Sequence, residues 1–214
     1  MSSRLFLRVG ASAAFAAAFL LAVQVAIALP LGSDIALLGT SLDPAQMTRF
    51  FGTNAFALTY MMTADDGFAI AYAIVFVVIA YYLLPRARLV GILALVFSLL
   101  TALTDLSENS LYLAAVATVT QKQALETPIL LALFWLGQVK YLAMYLAAIL
   151  FAVGIWPSRR GGRVLAILLA LFPVVGLVAI SFPVLAIFKL LWMCVLLIAG
   201  GVFLLAAAKT SEVS

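Results

Sequence analysis

Long runs of apolar residues dominate the chain, and short segments that carry charge separate them. Six such runs lie at about residues 9–29, 67–84, 89–118, 127–155, 164–181 and 184–208. A membrane-spanning α-helix needs roughly 20 apolar residues to cross a hydrocarbon core of about 30 Å. The pattern predicts an all-α, polytopic transmembrane helical bundle of six spans, with residues 1–214 forming a single transmembrane domain in the lipid bilayer.

The composition leads to the same conclusion. Of the 214 residues, 67% are hydrophobic and only 9% are charged, whereas an ordinary soluble domain is about 45–50% apolar and about 25% charged. A water-soluble surface cannot be built from so few charged residues, so a soluble fold is excluded.

Basic residues alternate between the two ends of the predicted spans. Two, Arg49 and Lys122, lie at one end, and eight lie at the other: Arg4, Arg8, Arg86, Arg88, Arg159, Arg160, Arg163 and Lys209. Since lysine and arginine accumulate on the cytoplasmic side, we expect both termini in the cytoplasm and a bacterial-type inner membrane. The net charge of +4 follows from this orientation and does not indicate nucleic-acid binding.

The first run has two interpretations. Two arginines, an apolar stretch and the small residues of Ala26-Ile27-Ala28 resemble a cleaved secretory signal, which would leave five spans. The run exceeds the usual length of a signal, and small residues recur along it at every fourth position: Gly10, Ala14, Ala18, Ala22 and Ala26. Such a ridge favours close helix packing, so we expect a retained span whose Ala-rich face could dock a membrane-protein partner.

Residues 30–66 form the one sizeable loop, on the outer side. Asp43-Pro44-Ala45-Gln46 has the N-cap, first-turn proline and third-position glutamine of a helix start. We expect a short interfacial helix here; an irregular loop packed over the bundle is the alternative. Asp65 and Asp66, just before the second span, are interpreted as stabilising the start of that helix.

The most informative segment is TALTDLSENSLY in the third span. It places Asp105, Glu108 and Asn109 at i, i+3 and i+4, hence on one helix face. Ionisable residues at membrane depth cost about 2.5–3.5 kcal/mol each on insertion scales and normally face the bundle interior. These three side chains are therefore expected to point inward.

The hairpin formed by spans three and four predicts which residue pairs with Asp105. Its turn lies near residue 122, so facing residues have numbers that sum to about 245. Lys140 then lies level with Asp105, and Gln138 lies close to Glu108. A further lysine, Lys189, lies roughly 9 Å deep in the last span at about 1.5 Å per residue. The two acids, Asp105 and Glu108, and the two lysines, Lys140 and Lys189, together carry no net charge.

Several kinds of chemistry are absent from the sequence. It contains no histidine and one cysteine, Cys194, which excludes histidine-based metal sites, catalytic triads that need histidine, and a disulfide within the chain. We expect no cofactor and no metal, because no nucleotide, flavin or haem fingerprint is present. Tyr72 is interpreted as a packing or interfacial residue. Trp135 and Tyr141 flank Lys140 and could line a cavity or screen the lysine by cation–π contact.

The sequence favours a small integral membrane protein that binds or transports a small solute, ion or proton in an outward-facing polar pocket. The pocket residues are Asp105, Glu108, Asn109, Gln138, Lys140 and Lys189. Two alternatives stay open: a non-transporting component that partners another membrane protein, and a membrane-embedded enzyme acting on lipid head groups. A charge network that only fixes the helix register would also explain these residues.

Overall fold

The computed structural model describes residues 3–158, 160–181 and 186–210, and every regular element in these ranges is helical. A 3-10 helix, Leu29–Leu37, follows the first α-helix. Six α-helices are long and apolar enough to cross a membrane, which confirms the prediction of an all-α chain with six helices of spanning length and indicates a multi-pass membrane protein. They are α1 (Ser3–Ala28), α2 (Pro44–Leu83), α3 (Arg88–Thr120), α4 (Thr127–Ile155), α5 (Arg160–Ser181) and α6 (Ala186–Thr210).

Helix α2 differs most from the prediction. It begins at Pro44, where the Asp43 carboxylate accepts hydrogen bonds from the backbone N–H groups of Ala45 and Gln46, so the predicted helix start is confirmed. The helix then continues to Leu83 instead of ending in the outer loop, with only a kink at Asn54. Most of the predicted loop 30–66 therefore belongs to the same helix as the second span.

Each helix contacts the next one in the chain, and α6 contacts α1. The start of α1 lies beside the end of α2, where the Phe6 and Tyr81 rings are 4.8 Å apart. We call this end of the helices the basic end, because it carries Arg4, Arg8, Arg86, Arg88, Arg163 and Lys209. Arg159 lies outside the described residues. The other end, at which α2 and α4 begin, is called the opposite end.

Small residues bring α1 close to α2 and α6. A Cβ atom at Gly10 would lie 2.6 Å from Cγ1 of Val78 and 3.0 Å from Cδ1 of Leu204. Ala14 is fully buried, whereas Ala22 and Ala26 are exposed. Part of the predicted docking ridge is thus used for packing within the chain, and only its C-terminal part is exposed.

Apolar side chains form separate layers along the helices. Near the basic end, a core includes Val78, Leu83, Phe151 and Leu204. Towards the opposite end, a second cluster, here called the apolar cap, joins α2, α3 and α4. Its buried members are Met47, Phe50, Phe51, Leu58, Met61, Met62, Tyr112, Ala115, Val116, Leu125, Leu130 and Leu133. The polar residues of α3 lie between these layers.

Candidate functional site

An ion pair joins α3 and α4. The Lys140 ammonium donates to Oδ1 of Asp105 at 2.9 Å, and Asp105 is only 4% exposed. The pairing expected from the hairpin register is therefore present. Both helices are long here, so neither side chain lies near a helix end at which water could replace its partner.

Tyr72 supplies the second contact of Asp105. Its hydroxyl donates to Oδ2 of Asp105 at 2.8 Å, from the neighbouring helix α2. Both carboxylate oxygens of Asp105 thus have a partner, which is the condition under which a buried charge is tolerated. Tyr72 is also buried and packs against Phe68 and Phe76, so the expected packing role is present. Its hydrogen bond to Asp105 was not predicted, and its hydroxyl inside an apolar run was the only available signal.

Glu108 shares the same lysine. Its Oε2 atom contacts the Lys140 ammonium, so one ammonium lies between two buried carboxylates. The opposing residue on α4 is Gly137, where an added Cβ would lie 3.4 Å from Oε1 of Glu108. We call Asp105, Glu108 and Lys140 the charged triad, and its formal charge is −1 when both acids are ionised.

Helix α2 brings two further carboxylates to this region. Asn109 donates through Nδ2 to Oδ1 of Asp66 at 3.1 Å. Asp65 lies within electrostatic range of Asp105, Glu108 and Lys140. The interpretation of both aspartates as residues at a helix start was wrong, because α2 begins at Pro44 and they occupy its interior.

Gln138 does not join this group as expected. It is exposed, while Glu108 faces Gly137 and Lys140. Because successive residues of an α-helix are about 100° apart, a residue two positions from Lys140 points in a very different direction. The expected Glu108–Gln138 pairing was therefore wrong.

Lys189 reaches the site through an aromatic ring. Its ammonium lies 4.0 Å from the centre of the Tyr141 ring, and that of Lys140 lies 5.4 Å from it. Both distances are within the range of cation–π attraction, so the suggested contact of Tyr141 with Lys140 is present. Trp135 is 62% exposed and faces away from the helix contacts.

The resulting group differs in charge from the expected one. We define the polar cluster as Asp65, Asp66, Tyr72, Asp105, Glu108, Asn109 and Lys140. With Lys189 nearby, four carboxylates face two ammoniums, whereas the sequence predicted two of each. The cluster is more acidic than expected because α2 contributes residues that its sequence pattern did not connect to α3.

Apolar layers enclose the polar cluster along the helix axes. The apolar cap lies on its opposite-end side in α2, α3 and α4. On the basic-end side, Tyr72 also lines a cavity of about 70 Å³ together with Phe76, Met144 and Phe151. Tyr72 therefore connects the charged triad to a small apolar space beneath it.

Comparisons of the chain with protein-family models, with curated proteins and with solved structures find no match. Function is therefore inferred from the side chains of the site and their geometry.

Proposed function

We propose that this protein is a multi-pass inner-membrane protein with cytoplasmic termini, and that its polar cluster binds and exchanges a small cation, of which the proton fits best. The orientation is supported by the eight basic residues at one end and the two at the other. Six helices able to cross a membrane agree with an even number of crossings, which keeps both termini on one side.

The observation that carries the proposal is the sharing of Lys140. Asp105 and Glu108 both contact its ammonium, so ionisation of both acids leaves one negative charge uncompensated in the triad. A charge at membrane depth costs about 2.5–3.5 kcal/mol on insertion scales. One proton on either carboxyl group would remove this charge without requiring a cavity.

A proton fits this geometry better than a metal ion. In the described part of the chain, no group of three or more carboxylate, cysteine or histidine side chains is arranged to hold a metal. The Lys140 ammonium already lies between the two carboxylates, and its positive charge would repel a divalent cation at the same place. A proton adds charge without adding volume.

The polar side chains extend from the triad towards the opposite end. Glu108 is followed in α3 by Asn109, which donates to Asp66 on α2. We propose that the proton exchanges with the outer side along this direction, passing through the apolar cap, with Glu108 as the carrier. Asp105 is less suited to this role, because both of its oxygens already accept hydrogen bonds.

A charge network that fixes the helix register is the second candidate. The hydrogen bonds of Asp105 to Tyr72 and Lys140 favour it, because they join α2, α3 and α4 through one carboxylate. In this case Glu108 would serve only to complete the pairing, and its replacement would change stability alone.

Proton flux into vesicles tests the proposal. The purified protein is reconstituted in vesicles that contain a pH-sensitive dye, and a potassium gradient with valinomycin imposes an inward-driving potential. We expect acidification above the rate of protein-free vesicles, and its loss in Glu108→Gln. Glu126→Gln, the same change at an exposed loop residue, is the matched control and should keep the flux.

A second measurement shows whether Glu108 binds a proton, independently of whether protons cross the membrane. Infrared spectra in detergent at neutral pH, where ordinary carboxyl groups are ionised, should show the carbonyl band of a protonated carboxyl group, which Glu108→Gln removes and Glu126→Gln leaves. If the band persists in Glu108→Gln at this pH, or if the unaltered protein lacks it there, the cluster does not hold a proton on Glu108. A charge network that fixes the helix register would then explain the polar cluster better than proton binding.

A further inference from the structure

A large cleft opens at the basic end of the helices, away from the polar cluster. Its volume is about 840 Å³, and it lies between the ends of α2, α4 and α6 and the start of α5. Three valines on its wall are more than half exposed: Val153 at 58%, Val164 at 54% and Val202 at 55%. In a bilayer such surfaces contact hydrocarbon chains rather than water.

The cleft also has a cationic rim. Arg86 lines it, and its guanidinium lies 4.1 Å from the Tyr82 ring centre and donates to the Tyr82 carbonyl at 2.7 Å. This bond uses one of the five N–H donors of a guanidinium. The stacked ring and the carbonyl hold the arginine in place, so its other donors are available to an anion without further ordering of the side chain.

Hydroxyl groups and further positive charge accompany Arg86. Ser158 and Thr210 line the same cleft, and Arg88 and Lys209 are exposed at the same end. Within the described residues, the cleft wall carries no acidic side chain. The surface thus combines an apolar wall at membrane depth with a positively charged rim.

We infer that this cleft binds one anionic phospholipid, with its phosphate at Arg86 and Ser158 and an acyl chain along the three valines. Basic pockets between membrane helices on the cytoplasmic side suit anionic head groups. The apolar wall distinguishes a lipid from a soluble phosphate, because only a lipid would cover both the rim and the valines. This site is independent of the proton site proposed above.

The cleft can be blocked without disturbing the fold. Gly161 lines it, and a Cβ atom added there would meet nothing within 4 Å. Gly161→Leu should therefore occupy the cleft while preserving every charge. Arg86→Gln removes the cationic group instead. Arg163→Gln removes an exposed charge at the same end that is not part of the cleft wall, and is the matched control.

Native mass spectrometry of the full protein in detergent, with phosphatidylglycerol or phosphatidylcholine added, tests the inference. We expect preferential binding of phosphatidylglycerol, and a fall of about fivefold in Arg86→Gln, the factor that one basic residue contributes near an anionic surface. Gly161→Leu should lose a similar fraction or more, and Arg163→Gln should bind like the unaltered protein. Thermal unfolding curves of each variant without lipid show whether it is folded.

Four results would overturn the inference. Equal binding of the two lipids would remove the role of charge. Unchanged binding in folded Gly161→Leu, or an equal loss in Arg163→Gln and Arg86→Gln, would place the lipid elsewhere. Displacement of the lipid by glycerol phosphate, which has no acyl chains, would show that the rim alone binds a soluble phosphate.

Discussion

Lys140 on α4 donates a hydrogen bond to Asp105 on α3, with 2.9 Å between Nζ and Oδ1. The two residues are 35 positions apart in the chain, and a short turn brings them to the same depth. Glu108 contacts the same ammonium. The effect of removing any one of these three groups therefore depends on which of the other two remain.

Replacement of Lys140 should be more harmful than replacement of Asp105. Lys140→Met removes the one ammonium that contacts both acids, and breaking a buried pair typically costs about 3–5 kcal/mol. Asp105→Asn leaves Lys140 paired with Glu108 and should cost about 1–3 kcal/mol, the range for one unsatisfied buried group. Thermal unfolding in detergent measures both changes.

The combined variants test the coupling. Asp105→Asn with Lys140→Met should recover part of the loss, and adding Glu108→Gln should recover more, because no buried charge of the triad then remains. If the single losses simply add in the double variant, Asp105 and Lys140 do not stabilise each other and the pairing contributes nothing to stability.

Tyr72→Phe should destabilise the protein although the ring is kept. The change removes the donor to Oδ2 of Asp105, and a buried acceptor without a partner costs about 1–3 kcal/mol. Tyr60→Phe, at a residue that is 55% exposed, is the control and should have little effect on the unfolding temperature. Equal effects of the two changes would show that the Tyr72 hydroxyl is not a structural partner of Asp105.

Gly10→Ala should loosen the contact of α1 with α2 and α6. The added methyl group would lie 2.6 Å from Cγ1 of Val78, and overpacking of this kind costs about 1–3 kcal/mol. Gly200→Ala, whose Cβ meets nothing within 4 Å, should be neutral or stabilising, since alanine is favoured over glycine in a helix by about 1 kcal/mol. Unfolding temperatures that rise for both would show that α1 does not need close packing at Gly10.

Cysteine labelling tests the orientation. In a Cys194→Ser background, Gln123→Cys at the opposite end and Thr210→Cys at the basic end leave every basic residue in place, and both positions are exposed. A membrane-impermeant maleimide added to intact cells should label Gln123→Cys and should reach Thr210→Cys only after the membrane is opened. The reverse result would place the basic end outside and contradict cytoplasmic termini.

The sequence determined the helices and one contact between them. Spans appear as apolar runs because the hydrocarbon core surrounds them, and they are helical because every backbone polar group in that core must find its hydrogen-bond partner within the protein. The start of α2 was predictable because Asp43 and Pro44 act locally, on the first turn alone. The Asp105–Lys140 pair was predictable because α3 ends at Thr120 and α4 begins at Thr127, and so short a connection leaves little freedom in the register of the two helices.

The continuation of α2 from Pro44 through to Leu83 was not predictable. Gly52, Asn54 and Gly67 interrupt the apolar pattern of residues 44–67, and each disfavours a continuous helix. Packing in the apolar cap, in which Phe51 and Leu58 are buried against α3 and α4, maintains the helix across them. Such contacts depend on distant residues and leave no local signal, and they are the reason that Asp65 and Asp66 occupy a helix interior.

Only the tertiary structure decided which side chains complete the site. In a bilayer both the lipid-facing and the inward faces of a helix are apolar, so the sequence pattern does not define its rotation about its own axis. Gln138 was expected inside and is exposed, whereas Tyr72 packs as expected and in addition donates to Asp105. The register along the axis follows from chain length, but the rotation follows from packing against several helices at once, and that rotation placed Asp105 and Glu108 against one shared lysine.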